Sequence, residues 1–419
     1  MAGTASHPQT GFLSRSWRDS AAWIRAADIL AVLVALSLPW STSLVAIFIT
    51  VFLLSLIPAF DAKHFVQALK QPASVAPVAL FAVALLGMLW ASDISWTARL
   101  HGLAPVAKLL LIPFFIYQFE KSGRGLWVAI AFLASCTVVM LASWLIAIDP
   151  QLVLEPGKAA GVPVKNPIAQ SQEFALCAFG VLGAAGYFFQ GRSKKLAMLM
   201  AALAAAFLAN MVFVATSRTV LVCIPVLLAV FAIVHLKRRG AMILLIVALA
   251  AIAAAWSTSP YLRWRASALF SEYQQYQDTN AVNSTGQRLE YWRKSIKFIE
   301  AAPLFGHGTG STKALFERDA IGQTGVSAEV IGNPHNQTLN VAIQWGVLGL
   351  LALYAIWIAH LSVFLSPSGL AAWIGLVAVV ENFVSSLFNS HLFDFTEGWI
   401  YVLAVGVAGG MVFRERARR

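Results

Sequence analysis

The sequence predicts an all-α integral membrane protein of about twelve transmembrane helices, with one long polar loop on one side of the membrane. Three observations predict it. First, 59% of the 419 residues are hydrophobic and 12% are charged, whereas soluble domains carry about 25% charged residues. Second, the apolar residues fall in runs near the roughly 20 residues needed to cross the hydrocarbon core. They occupy 24–40, 43–60, 74–91, 104–119, 125–148, 167–190, 196–215, 219–236, 241–257, 337–365, 369–388 and 396–413. Third, the basic residues alternate in number between the two sets of loops. Arg15, Arg18, Lys63, Lys70, Lys121, Arg124, Arg192, the Lys194–Lys195 and Lys237–Arg239 clusters and the RERARR tail fall on one side. Only Arg99, Lys158, Lys165 and Arg218 fall in the short loops opposite. The positive-inside bias puts both termini in the cytoplasm.

The first apolar segment is followed at once by another, so it is expected to stay as a span and not to be cleaved. Cys136, Cys177 and Cys223 all lie within apolar runs and read as buried small side chains, with no disulfide or metal role. The net charge of +11 is accounted for by the membrane orientation, and no nucleic-acid partner is expected.

The spans divide the chain into an N-terminal bundle (1–257), a long loop (258–333) and a C-terminal group of spans with a basic tail (334–419). At about 75 residues the loop is too long for a simple connection; loops of this length are functional or disordered, and this one carries helical patterning. Within it Leu289, Trp292, Ile296 and Ile299 recur at helical spacing with basic residues between them, the pattern of an amphipathic helix lying at a membrane surface.

The stretch NPHNQTLNVAIQWGVLGL (333–350) opens polar and becomes membrane-grade. Asn333 can cap a helix with Pro334 at its first position. His335 would then sit in the first turn, where the helix dipole disfavours imidazolium and keeps the ring a competent general base. At 100° per residue, Gly346 and Gly349 lie within about 40° of His335, on a face that a neighbouring helix could approach closely. A capping or interfacial histidine fits the same position equally well.

Three elements of the sequence resemble the O-antigen ligase family. The first is His335-Asn336, nine residues, then Gly346-Val-Leu-Gly349 directly after the long loop. The second is TSR at Thr216–Arg218, between two spans. The third is GQRLEYW, with Gly286, Arg288 and Trp292 matching a Gly-x-Arg-x-x-x-Trp element. The resemblance implies a GT-C-like, metal-independent, inverting glycosyltransferase without cofactor. It would take O-antigen glycan from undecaprenyl diphosphate and join it to lipid A-core oligosaccharide, in lipopolysaccharide biosynthesis, at the periplasmic face of a Gram-negative inner membrane. Polymerases of O-antigen and protein O-oligosaccharyltransferases share much of the motif set. The latter would more often carry a soluble C-terminal extension, whereas RERARR follows the last span here. A flippase would be expected to show an inverted repeat and midplane charges; no repeat is evident, and the polar groups crowd one face.

A lipid diphosphate leaving group needs its charge met by a metal or by cations. The sequence has no DxD pair, HExxH or Cys/His ligand spacing, which leaves the cations. Arginine's planar fork suits phosphate oxygens. Arg218, at an outer span end against the charge trend, and Arg288, at the start of the loop helix beside the permissive Gly286, are the expected diphosphate ligands. Lys108, inside a span, could grip the diphosphate or pair with Glu173; Arg99 and Asn336 are weaker candidates. Asn166 reads as the cap of the sixth span, and GHGTGS (306–311) as a tight turn. Glu381, Asn389, His391, Asp394 and Glu397 gather at the last outer loop, either lining an acceptor cavity or closing its rim.

Overall fold

The computed structural model describes residues 19–419, apart from 154–156, 159, 192, 216, 259 and 366–368. Arg15, Arg18, Arg192 and Thr216, all singled out in the sequence, lie outside the described residues. Every described regular element is helical. The helices are α1 Ser20–Ser37, α2 Thr42–Leu56, α3 Ala62–Leu69, α4 Pro72–Gly87, α5 Trp96–Ala107, α6 Leu111–Lys121, α7 Gly125–Ile148, α8 Pro167–Gln190 and α9 Lys194–Phe213. They continue with α10 Arg218–His235, α11 Arg238–Thr258, α12 Pro260–Thr279, α13 Ser284–Ala301, α14 Ser311–Asp319, α15 Gln337–Leu365, α16 Leu370–Ser385 and α17 Phe395–Arg418.

Among the described residues ten helices are long and apolar enough to cross a membrane, α5 and α6 counting as one through a 3-10 turn at Lys108–Leu110. The α3–α4 pair, bent by 80°, makes an eleventh. The stretch expected as the span 369–388 is a helix of only 16 residues, α16. The chain is thus an all-α multi-pass membrane protein.

The helix starts follow local chemistry. Side-chain oxygens of Ser41, Ser95 and Ser217 cap α2, α5 and α10. Asn166 caps α8 by accepting from the amides of Ile168 and Ala169, with Pro167 first in the helix, as the sequence predicts. Helices α8 and α17 are the most enclosed. A buried histidine, His360 of α15, ties three helices by bonding the Tyr401 hydroxyl of α17 (2.6 Å) and the Ala73 carbonyl of α4 (2.8 Å). Helix α17 starts beside the His335 turn and ends where Arg414 reaches the Lys121 carbonyl (3.1 Å). Its 24 residues span about 36 Å, so this basic end lies opposite the long loop.

Helix α15 is interrupted. Gly346 has φ +55 and ψ −149, far from helical values. Its face was expected to admit a neighbouring helix; instead it breaks its own. The backbone of 303–308 enters the break. The Val347 and Leu348 amides donate to the Pro303 and Leu304 carbonyls (2.9 and 3.3 Å), while the His307 and Gly308 amides donate to the Ile343 and Gln344 carbonyls (2.9 and 2.8 Å). A Cβ at Gly346 would stand 2.5 Å from the Leu304 carbonyl, so both sterics and positive φ require glycine. At Gly349 the nearest atoms to an added Cβ would be those of Trp345 (2.6 Å) and Val341 (3.0 Å) of the same helix.

The GHGTGS stretch is the tight turn expected, with positive φ at Gly306, Gly308 and Gly310, and it plugs the bundle. Thr309 Oγ donates to the Ala84 carbonyl (2.5 Å) and accepts from the Trp345 indole (2.8 Å). The amide of Gly310 donates to Gln344 Oε1 (2.8 Å). The loop helices α13 and α14 form a small core on this plug from Tyr291, Phe298, Phe316 and Ile343.

The buried line of α13 differs from the expected surface-binding face. Tyr291, Lys294, Ser295 and Phe298 are buried, Trp292 and Ile299 pack against the small core, and Ile296 is 51% exposed. Packing on the broken helix thus turns Tyr291, Ser295 and Phe298 inward and leaves Ile296 outside.

Gly346→Ala should lower stability by about 2 kcal/mol or more, through left-handed backbone and a clash with backbone. A thermal unfolding midpoint in detergent unchanged from wild type would contradict the break.

Candidate active site on the loop face of the bundle

His335 does not lie in the first helical turn. Its φ is +53, and α15 begins two residues later. Pro334 is not the first helical residue, because Asn333 and Asn336 split the capping work. Asn333 Oδ1 accepts from the His335 amide (3.0 Å) in a tight Asx turn. Asn336 Oδ1 accepts from the Leu339 amide (3.0 Å) and so caps the helix itself. Left-handed backbone at a non-glycine residue costs about 1 kcal/mol or more.

What holds it is the turn between α16 and α17. The Asn336 amide group donates to the Leu387 carbonyl (2.9 Å), the Gln337 amide to the Ser386 carbonyl (2.9 Å) and Ser390 Oγ to Asn333 Oδ1 (2.7 Å). The His335 ring stacks on Tyr291 of α13, with centroids 6.0 Å apart. Its Nδ1 meets Asn389 Oδ1 at 2.8 Å. An amide oxygen only accepts, so Nδ1 carries the proton and Nε2 is the basic atom. Asn389 in turn donates through Nδ2 to Asp394 Oδ2 (2.9 Å).

The ring is neutral, as the sequence reading required, but for a different reason from the helix dipole. Burial comes first and the charge of Arg288 adds to it; together they outweigh the Asn389 bond and hold the pKa below the ordinary 6.5. His391, in the same turn, is pushed down to about 3 by burial, then by Arg288 and His335. It lies 3.5 Å from the Gln172 amide nitrogen. Asp394 is pushed up to about 7 by burial and by Glu397, against Lys108.

The two arginines flank this group. Arg288 makes no ion pair among the described residues. Burial, then Arg218, holds its pKa below the usual arginine value. Arg218 is held by Glu272 of α12 (3.1 Å), with Ser284 and Thr285 within 3.5 Å. Glu272 stays below the ordinary carboxylate pKa: burial raises it, but the Thr285 hydroxyl and Arg218 outweigh that. Gly286 admits the side chain of Tyr276 from α12, where a Cβ would be 2.9 Å from Tyr276 Cβ. Its close approach is therefore between loop helices.

Lys108 and Arg99 stand apart from these three. Lys108 donates to the carbonyls of Phe393 (2.9 Å) and Asp394, so it anchors the turn that carries Asn389. Its expected partner Glu173 is paired with Lys165 instead (3.3 Å). Arg99 spends its guanidinium on the carbonyls of Ile94 (2.9 Å) and Met88 (2.7 Å) and on the Trp96 ring. Both donate to backbone carbonyls at nearby helix ends and turns, where the orphaned acceptors of a helix terminus favour a cation. Asn389 and Asp394 were legible only as rim residues; their link to His335 spans 54 positions and leaves no local pattern. Tyr291 and Glu272 were not singled out at all. Among the described residues no group of three His, Cys, Asp or Glu side chains gathers as metal ligands.

The fold and site define a polytopic membrane protein with a histidine and two arginines on the face that bears its long loop. Residues 202–354 match the family model of the O-antigen ligase. The matched stretch is a little over a third of the chain and runs from α9 through the loop to the middle of α15. It holds Arg218, Arg288, His335 and both motif glycines, while Lys108, Asn389 and Asp394 lie outside it. No curated protein matches the chain. The family implies a glycan-transferring ligase or polymerase activity acting on a lipid-linked polysaccharide.

Ring-carbon NMR of His335 should titrate below pH 6.5. In Arg288→Gln the midpoint should rise, because a cation that opposes ring protonation is gone. A midpoint in Arg288→Gln unchanged from wild type would remove Arg288 from the field of this ring.

Proposed function

We propose that the protein is an O-antigen ligase, moving glycan from undecaprenyl diphosphate to lipid A-core oligosaccharide at the periplasmic face of a Gram-negative inner membrane, with both termini cytoplasmic. The observation that carries this reading is the placement of Arg218, against Ser284 and Thr285 at the head of α13, one turn from Arg288, whose charge acts on the neutral His335. Two guanidinium groups that close repel one another, and an anionic ligand between them relieves that repulsion. A diphosphate is such a ligand, and its polyprenyl tail can stay in the surrounding lipid.

In this scheme the acceptor hydroxyl attacks the anomeric carbon and gives its proton to His335 Nε2. The glycosidic C–O bond to phosphate breaks, and its electron pair leaves with the diphosphate, whose charge the arginines meet. A single in-line displacement inverts the anomeric configuration. No step requires a metal, since cations of the chain stand where one would act. Glu272 then has a defined part: it neutralises Arg218 while the site is empty and gives way to the phosphates when the donor arrives.

His335→Ala should fold and transfer no glycan; full transfer by that variant would remove the histidine from the chemistry. Arg218→Lys and Arg288→Lys should each lose most activity, since a point charge does not replace a bidentate fork. Purified protein given lipid-diphosphate glycan and lipid A-core should yield the ligated product in EDTA. A glycan ladder without attachment to the acceptor would instead identify a polymerase, and loss on chelation restored by magnesium or manganese would overturn the metal-free scheme. Glu272→Gln should lower the KM for the donor several-fold by removing the competing carboxylate, and a raised KM would show that Glu272 orders Arg218 instead.

A further inference from the structure

We propose that Asn389, with its amide rotation fixed by Asp394, is a positioning residue that sets the tautomer of His335 and so makes Nε2 the atom that accepts the acceptor's proton. The inference rests on the proposed role of His335 as the general base.

An asparagine amide can turn over by 180° at little cost unless its two ends are distinguished. Here they are. Its nitrogen faces Asp394 Oδ2 at 2.9 Å, and a carboxyl offers an oxygen to accept in either protonation state. Its oxygen therefore faces His335 Nδ1 at 2.8 Å. With the amide reversed, an N–H would face Nδ1, and the ring would carry its proton on Nε2, where it could not act as a base.

The anchor continues inward. Asp394 closes the turn by donating its backbone amide to the Ser390 carbonyl (2.9 Å). Its own carbonyl and that of Phe393 receive Lys108 Nζ. The buried lysine of the α5–α6 break thus holds the backbone that carries the amide. Asparagine, unlike a carboxylate, orients the imidazole without adding negative charge. A carboxylate in its place would raise the basicity of the ring but would stand beside a second carboxyl, that of Asp394, and near the incoming diphosphate. The neutral amide avoids both repulsions.

The charged and titratable groups facing this ring are Arg288 and Tyr291 from α13, with Glu329 bonded to the Tyr291 hydroxyl, and His391 and Asp394 from the turn. A change confined to Asn389 leaves all of these in place.

The test uses the full-length protein in detergent, with undecaprenyl-diphosphate-linked glycan as donor and lipid A-core as acceptor. Asn389→Leu should lower kcat on the order of a hundredfold, the lower range for loss of a positioned base, with donor KM within about twofold of wild type. Asn389→Asp keeps an acceptor for Nδ1–H. It should recover much of kcat and move the acidic limb of the pH–rate profile to higher pH, as a carboxylate beside the ring raises its pKa. Asp394→Leu, which frees the amide to turn over, should fall between these two. Wild-type kcat in Asn389→Leu would overturn the proposal, as would equal loss in the Leu and Asp variants with the limb unmoved. If Asn389→Leu does not fold, the limb in Asn389→Asp decides by itself. Transfer retained by His335→Ala would instead end the general-base reading on which this rests.

Discussion

The rest of the structure depends on the rule that a backbone away from water must find all its hydrogen bonds within the protein. Helix α15 violates helical pairing at Gly346, nine residues and so about 14 Å along its length. Irregular backbone at such depth survives only when other protein covers it. The cover is the 303–308 segment, which supplies carbonyls to two amides and amides to two carbonyls. This exchange seats the middle of the long loop in the bundle. It fixes α13 just before it, and with α13 come Arg288 and Tyr291. The histidine turn at the head of α15 is then met from one side by the loop helix and from the other by the α16–α17 turn. The site exists because a helix was broken and repaired with foreign backbone.

Charge in this region is arranged by burial more than by pairing. His335 and His391 are kept neutral first by lost solvation and then by Arg288. Arg288 itself has no counter-ion among the described residues, while Arg218 has Glu272. One cation is therefore held ready and the other is held in reserve. In the proposed scheme such an arrangement would favour a dianion over a monoanion, since a ligand with two charged groups engages both. Lys108, expected from its position in a span to join them, is spent on carbonyls, so the field has the geometry of two planar forks and no mobile ammonium.

Much of this fold was legible in the sequence because transmembrane helices announce themselves by length and apolarity, and because Asn166–Pro167 and GHGTGS use local rules that tertiary context does not override. The break in α15 was not legible. Gly346 sits in an apolar run whose periodicity continues through it, and only the loop backbone docking from some forty positions upstream reveals that its φ is positive. The same gap misplaced His335: Asn333 and Asn336 are both good caps, and which one ends up capping depends on contacts with Leu387 and Ser390. The face of α13 was misread because Glu290 and Lys294 count as polar in a pattern, yet are buried through Arg293 and Asp319. Of the site, the arginines and the histidine could be named from motifs; Asn389 and Asp394, with neither motif nor period, could only be placed at a rim.

The insertion of 303–308 into α15 also decides which part of the loop can swing. Withdrawing that segment would strand four backbone groups in a dry interior, each costing about 1 kcal/mol or more, so α13 and α14 behave as masonry. Among the described residues no such backbone exchange holds helix α12. Its links are side-chain ones, from Glu272 to Arg218 of α10 and Thr285 of α13 and from Tyr276 to Glu290 of α13, together with the Asn283 bond to its backbone. A bulky polymer approaching His335 would meet a fixed wall on one flank and a latch on the other, and the latch is fastened by the carboxylate that, in the proposed scheme, an arriving phosphate would displace.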